Sequence, residues 1–530
     1  MKIKLLLLTV FAFICVTSIC SAQIYVDNSA SGSNNGSSWT NAYTDIETAL
    51  INSIIGDQIW VKSGIYKPST SNGFNIPSGV KLYGSFDGTE SNVNERDIAA
   101  NLTTLNGDIG TVGIDTDNTN HVVYMSNVNT QTRLDGFRII NGYANNVSNG
   151  SKGGGLYNLN GSPTIANCTF ISNYSKDFGG AIVSESGNIK IEDCSINNNT
   201  SVDIGGGIYL SQSGTAIILR TKIYNNTCTL GSGGGISTGN GVTSLIMDRC
   251  EISGNTAQDF GGAATIGDDT DFNLYNSVIL GNISASNTVY MHTTFNTGNH
   301  NIVNCTFSGN KVENSSAAST TIRFSTNSNI YNSIFWDNNS VAEIYRVGAG
   351  VSDPTVDYCN VEGGFATGSN NINQDPLFVS PGSSLFAPFS LNDGYDYNTN
   401  SSSTSINAGN NSNLLSSFNL DYNGNARVID TTVDLGAFEA DTELSLEDTF
   451  LTETGLVYYN KIEKKISLDN LINFEGINKV SLYDISGKSV LIQNTNKNEI
   501  QVNQFKSGIY FITVENAVNK RFHTQKIIVF

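Results

Sequence analysis

Histidine, methionine and tryptophan are nearly absent: 530 residues include only four His, four Met and three Trp. So few imidazoles leave little material for a histidine metal centre or a Ser-His-Asp relay. Between residues 23 and 450 the histidines are His121, His292 and His300. His292 and His300 fall in the polar stretch MHTTFNTGNH and read as solvated turn residues. Charged residues make up only 14% of the chain against 39% hydrophobic, which argues against charge-driven disorder. Seven prolines are too few for a structure with many rigid kinks. Positive charge is scarce as well. Residues 23–450 hold 16 basic and 40 acidic residues, a net of −24 that would repel nucleic acid and anionic lipid. No apolar run beyond residue 22 is long enough to span a membrane as a helix.

The N-terminal 22 residues do contain such an apolar run, but a short one. Lys2 and Lys4 precede the stretch Leu5 to Ile19, and Ala22 supplies a small residue for cleavage, so this reads as a signal segment with the mature chain starting near Gln23.

What the chain has in abundance is glycine, 52 residues, and a repeated heptapeptide ending in Asn. The copies are NCTFISN (Asn167 to Asn173), DCSINNN (Asp193 to Asn199), RTKIYNN (Arg220 to Asn226) and RCEISGN (Arg249 to Asn255). NSVILGN (Asn276 to Asn282), NCTFSGN (Asn304 to Asn310) and NSIFWDN (Asn332 to Asn338) continue the series. The closing asparagines advance by 26 to 29 residues, the period of a solenoid. Short alternating apolar stretches separated by Gly, Asn, Asp and Ser make each unit strand and turn, not helix. A second series keeps the same phase: GGGLY at Gly153, GGAIV at Gly179, GGGIY at Gly205, GGGIS at Gly233 and GGAAT at Gly261. Each coil therefore has a Gly-flanked strand, a turn, a second strand and an Asn corner at which amides can stack. Phe170, Ile196, Ile223, Ile252, Ile279, Phe307 and Phe335 occupy one position of the heptapeptide and should fill the interior. LDGFRIING (Leu134 to Gly142) reads as an earlier coil. TDIETALINSII (Thr44 to Ile55) has helical spacing suited to covering the first rung.

Cysteine follows the same rhythm. Once Cys15 and Cys20 leave with the signal segment, six remain, and Cys168, Cys194, Cys250, Cys305 and Cys359 share one register, with Thr221, Ser277 and Ser333 in the other coils. Two readings fit: an inward ladder of small buried side chains, or a disulfide between Cys168 and Cys194, which export would permit.

One further regularity concerns binding. Asp177, Asp203 and Asp259 each stand two residues before a glycine cluster, with Gly231 at the matching place between them. Stacked carboxylates repel unless a cation or donors compensate, so calcium is one reading; the other is that each Asp caps its own turn.

The N-terminal stretch IYVDNSASGSNNGSSWTNAYTDIETAL, with GDQIWVKSGIYKP and GVKLYGSFDGTE, resembles exported bacterial right-handed β-helix proteins of the pectate-lyase-like superfamily. The GGAI and FxxN elements resemble repeats of polymorphic outer membrane proteins, which are surface adhesins. NQDPLF (Asn373 to Phe378), DYNGNARVID (Asp421 to Asp430) and DLGAFE (Asp434 to Glu439) resemble the closing module of choice-of-anchor proteins. From Leu451 the texture changes to longer strands with a net charge of +3. KVSLYDISGKSV, SGIYFITVENAVNKRF and KIIVF resemble the C-terminal sorting domain of the bacteroidete type IX secretion system, with VYYN (Val457 to Asn460) where that family usually carries Pro-Asn-Pro.

These likenesses imply an all-β protein: a right-handed parallel β-helix solenoid over residues 23–440 with an N-terminal cap, a linker at 441–450, and a small C-terminal β-sandwich at 451–530. They imply transit through the type IX secretion machinery and release or attachment at the outer-membrane surface. The superfamily includes polysaccharide lyases and hydrolases, yet paired catalytic carboxylates with a Gly-His-Gly or Arg-x-Lys signature do not occur. The expected function is non-catalytic adhesion or binding of extracellular polysaccharide or a neighbouring cell surface. The alternative is a polysaccharide lyase or glycoside hydrolase with a diverged site.

Overall fold

The computed structural model describes residues 22–145, 151–267, 269–291, 298–314, 319–324, 328–346, 353–440, 457–460, 465–468, 478–495, 499–502, 505–506, 508–516 and 522–529. The signal segment up to residue 21, His292 and the 441–450 linker lie outside these. The chain divides into two compact units, Met1–Asp441 and Thr442–Phe530.

The first unit is a parallel β-helix. One coil shows the plan: strands Ile182–Glu185, Lys190–Glu192, Ser195–Asn197 and Thr200–Ser201 follow one another, each pairing with its counterparts in the coils before and after. Stacking yields four parallel sheets of 10, 12, 11 and 7 strands in that order around the coil. We call the 10-stranded one the groove sheet and the 11-stranded one, which carries the heptapeptides, the heptapeptide sheet. Three further rungs precede the visible repeats. Strands Gln23–Val26, Gln58–Lys62 and Lys81–Phe86 join the 12-stranded sheet before Arg133–Asp135, the strand of the LDGFRIING coil. The helix runs over Ile46–Asn52, capped by the Asp45 carboxylate on the Thr48 amide, and buries Ile46, Ala49 and Leu50 in the solenoid core.

The heptapeptide has a simple geometry. Its first residue is left-handed in every coil, from Asn167 (φ 49°) and Asp193 (φ 54°) through Asn332 (φ 51°). The second is the Cys-register residue, and the next three form a strand. The sixth is left-handed again (Ser172, Asn198, Asn225, Gly254, Gly281, Gly309, Asp337), and the seventh is the ladder Asn. The left-handed duty thus falls on the residue before the ladder Asn, leaving that Asn extended enough to aim its amide along the axis. From Asn173 to Asn310 each side-chain amide donates to the Oδ1 of the next coil's Asn at 2.8–3.0 Å, and each backbone N–H donates to the same oxygen. The second amide proton reaches a carbonyl of the preceding coil, as from Asn226 to Ile196 at 2.8 Å. Every buried polar atom of that corner finds a partner this way.

Beside it runs a second column. Phe170, Ile196, Ile223, Ile252, Ile279, Phe307 and Phe335 pair directly and are almost wholly buried, with Phe307 and Phe335 stacked at 4.7 Å. The Cys register is a hydrogen-bonded ladder: the Cys250 amide donates to Ser277 Oγ at 2.9 Å and the Cys305 amide to Ser333 Oγ at 3.1 Å. The six cysteines among the described residues are free and buried, so the Cys168–Cys194 disulfide is absent from this structure. Burial holds Cys250, Cys305 and Cys359 up to about 12, which keeps them as inert thiols.

Residues 373–440 turn back along the outside of the heptapeptide sheet. Phe389, Tyr397, Ala437 and Phe438 pack on Val278 and Leu280, which point outward and are nevertheless buried. The segment is pinned by Leu391 N–H to Glu251 at 2.9 Å, Ala437 N–H to Thr306 Oγ1 at 3.0 Å and the Asn276 amide to the Phe418 carbonyl at 3.1 Å. Inside it, Arg427 is buried against Glu439 at 2.8 Å.

The second unit is antiparallel. One sheet pairs Val457–Asn460, Lys465–Leu468 and Glu499–Gln501; the other runs in the order Ser489–Thr495, Asn478–Asp484, Gly508–Asn516 and Phe522–Val529. Ile466 and Ile500 from one sheet meet Val480, Leu482 and Ile512 from the other, so the pair forms a small sandwich. VYYN is itself a strand. The final strand begins at Phe522, earlier than the KIIVF stretch suggested.

Candidate functional site

A glycine cluster opens five consecutive groove-sheet strands, Leu156–Leu159, Ile182–Glu185, Ile208–Ser211, Ile236–Thr238 and Ala264–Ile266. The first glycine is left-handed (Gly205, φ 71°), and a Cβ on the second, Gly206, would strike the Gly234 carbonyl of the next coil. Alternation then sends Leu156 and Ile208 inward and Tyr157 and Tyr209 outward. Pairing aligns the outward residues into a column: Tyr124, Tyr157, Val183, Tyr209, Ser237, Thr265, Tyr290, Arg323 and Tyr345.

Two clefts lie along this column. The first, about 1110 Å³, is lined by His121, Tyr124, Lys152, Tyr157 and the cap helix residues Glu47 and Ile51. The second, about 610 Å³, is lined by Phe178, Tyr209, Phe260, Tyr290, Glu185 and Asp259. Lys152 lines both. In the second cleft Phe178 stacks on Tyr209 at 4.7 Å and Phe260 on Tyr290 at 4.6 Å, both pairs nearly parallel. In the first, His121 lies 5.1 Å from Tyr157, which lies 5.8 Å from Tyr124. Glu185 joins the two: it accepts from Lys152 at 2.8 Å and from the Tyr157 hydroxyl at 2.5 Å. Lys152 also sits over the Phe178 ring at 5.3 Å. Burial and the Glu185 charge raise Tyr157 and Tyr209 further above the ordinary phenol range, so both keep their hydroxyl protons.

Asp177, Asp203 and Asp259 stand in one column at the corner leading into the groove sheet, with Gly231 between the last two. The Ile204 amide donates to the Asp177 carbonyl and the Asp259 amide to the Gly231 carbonyl. The Asp177 side chain accepts a short hydrogen bond from Ser151. Gly231 leaves no room for a carboxylate, since a Cβ there would overlap the Asp203 carbonyl oxygen. Asp259 lines the second cleft, and partial desolvation raises its carboxyl above the usual range. Among the described residues no three His, Cys, Asp or Glu side chains come close enough to hold a metal ion.

His300 corrects the turn reading: it lies in strand His300–Val303, faces the core and is fully buried, with the Phe272 amide donating to its Nδ1 at 3.4 Å. Desolvation pushes it down to about 4, which keeps it neutral. His121 reaches the first cleft, its Nδ1 3.0 Å from the Gly153 carbonyl oxygen. The groove aromatics were not singled out from the sequence, although Tyr157 and Tyr209 belong to GGGLY and GGGIY and Phe178 and Phe260 to the DFGG turns. Strand alternation after the glycine cluster is the signal that points Tyr157 and Tyr209 outward.

Fold and tail together define an exported parallel β-helix protein. Residues 459–530 match the secretion system C-terminal sorting domain family, so the chain carries the sorting tail of type IX secretion, which directs export with release or attachment at the cell surface. Among solved structures, the chain is similar to pectate lyase Pel9A at 17% identity and TM-score 0.45, covering 80% of this chain and 98% of that one. It is also similar to a polygalacturonase from Erwinia carotovora ssp. carotovora at 11% identity and TM-score 0.28, covering 63% and 96%. No curated protein matches the chain.

Proposed function

We propose that this protein is a non-catalytic, exported β-helix that binds extracellular polysaccharide along the groove sheet, at the cell surface or after release. The signal segment 1–22 would start that export, and the 441–450 linker would join the solenoid to its sorting tail. The carrying observation is the row of outward aromatics on a rigid parallel sheet: Tyr157, then Phe178 with Tyr209, then Phe260 with Tyr290. Ring faces take the C–H faces of sugars, and the Tyr209 and Tyr290 hydroxyls offer hydrogen bonds to their hydroxyls. Side chains fixed by coil stacking lose little entropy on binding, which favours a preformed site. Glycosidic cleavage calls for an acid and a base or nucleophile poised across one bond. In the groove Glu185 is instead held by Lys152 and Tyr157.

A glycan array on the full chain, paired with reducing-sugar and unsaturated-product assays with and without calcium, tests this reading. Binding without turnover, weakened by Tyr209→Ala, is the expected result. Turnover of any polysaccharide would favour the lyase or hydrolase alternative. Binding abolished by chelation would favour a cation on the Asp177 and Asp203 column over turn caps.

A further inference from the structure

The groove's charges narrow its ligand. Across the two clefts the carboxylates of Glu47, Glu185 and Asp259 face one ammonium, Lys152, and that ammonium is already paired with Glu185 at 2.8 Å. His121 lines the first cleft with its Nδ1 at the Gly153 carbonyl. The next cation along the column is Arg323, whose guanidinium lies over the Tyr290 ring at 5.3 Å rather than over open groove. Residues 23–450 as a whole carry a net −24. A polyuronate bears one negative charge per sugar, so each sugar laid on this surface would meet carboxylates with few cations to offset them. The aromatic content favours the opposite kind of chain. Pyranose rings with equatorial substituents expose flat C–H faces, and Tyr209, backed by stacked Phe178, is a rigid platform for such a face, while Tyr290, packed by Phe260 and Arg323, lines the same cleft. Tyr157, Tyr209 and Tyr290 are separated by two and then three coils, about 10 and 14 Å at normal strand spacing, so an extended chain along the axis could engage them together.

We infer that the groove takes an uncharged, extended β-linked polysaccharide of the glucan or xylan class, and rejects polyuronates. This rests on the polysaccharide-binding reading of the groove.

Affinity gel electrophoresis of the full chain tests it, in gels cast with hydroxyethylcellulose, with xylan or with polygalacturonate, at low and at high sodium chloride. The expected result is retardation by a neutral polymer that changes less than twofold with salt and falls at least fivefold in both Tyr209→Ala and Tyr290→Ala. Two variants are used so that a folding defect in one, detected by circular dichroism, leaves the other as the test. Retardation by polygalacturonate alone, weakened by salt and lost in the same variants, would overturn the ligand class while leaving the groove as the site. Retardation unaffected by either folded variant, or none by any polymer, would remove the groove reading and the inference with it.

Discussion

The side-chain amide of Asn338 donates to Glu343 Oε2 at 3.0 Å, and this contact ends the asparagine column on a buried carboxyl. Every other ladder amide meets the neutral Oδ1 of another Asn. Here the acceptor is ionisable, and burial pushes Glu343 up to about 8 against hydrogen bonds from Thr321 and Asn338 that lower it. The folded state therefore keeps a proton that the unfolded chain releases near its ordinary value of 4.5. Stability contributed at this position is fully present below that value, falls as pH rises, and levels off above about 8. Glu343→Gln keeps an acceptor for Asn338 and cannot ionise. Denaturant midpoints should show the variant gaining about 2 kcal/mol over the parent at the alkaline end of this window and little at the acid end. Parallel pH profiles for the two proteins would contradict this account.

The middle of the ladder should be less forgiving. Asn226 donates to Asn255 Oδ1 and the Ile196 carbonyl, and its own Oδ1 accepts both the backbone and side-chain amides of Asn199. Asn226→Ala strands buried partners on both sides and should cost about 2–4 kcal/mol. Its neighbour Asn225 is left-handed (φ 54°) and only partly buried, so Asn225→Gly should be nearly neutral. Chemical unfolding of the two variants measures the contrast. Equal losses would mean that the corner depends on its backbone rather than on the amide column.

The sixth heptapeptide residue records where the outer segment lies. It is Ser172, Asn198 and Asn225 in the early coils, then Gly254, Gly281 and Gly309; Phe389 sits where a Cβ on Gly281 or Gly309 would go, while a Cβ on Gly254 would first meet Asn225 Oδ1. Gly281→Asn keeps a residue that tolerates the left-handed backbone and adds a side chain beneath Phe389. Loss should therefore come from displaced packing, about 1–3 kcal/mol. Limited proteolysis should show faster cleavage within residues 373–440, with the coils themselves still resistant. Unchanged cleavage would show that Phe389 does not anchor the segment.

This Ser/Asn-to-Gly switch is visible in the sequence but unreadable without a partner to explain it, and the same is true of the outward Val278 and Leu280 of NSVILGN. The period, the inward Phe170 to Phe335 column and the Cys register were all legible, because each depends on contacts between equivalent positions of neighbouring coils. The rungs before Leu134 were harder to see. Gln23–Val26, Gln58–Lys62 and Lys81–Phe86 are separated by irregular excursions that break the 26–29-residue spacing. His300 was misplaced for a related reason: a polar-looking stretch concealed a strand whose inward position the stack imposes. The groove emerges only when the strands of one sheet are aligned side by side, which brings Tyr157, Tyr209 and Tyr290 into one column from positions up to 133 residues apart.

The tail offers the sharpest cellular test. Its sandwich has its own core of Ile466, Val480, Leu482, Ile500 and Ile512, and its net charge of +3 contrasts with the −24 of residues 23–450. The 459–530 sorting-domain match implies that the secretion machinery recognises this unit. Removal of 459–530 leaves every coil and the Arg427–Glu439 lock intact, so the truncated protein should fold and accumulate. Fractionation should then find it in the periplasm, with the surface and medium fractions depleted at least tenfold while the whole-cell amount is maintained. Degradation of the truncated chain would be recognised by a fall in that whole-cell amount, and a protease-deficient strain would restore the measurement. Surface delivery at the normal level would show that the tail is not the export signal.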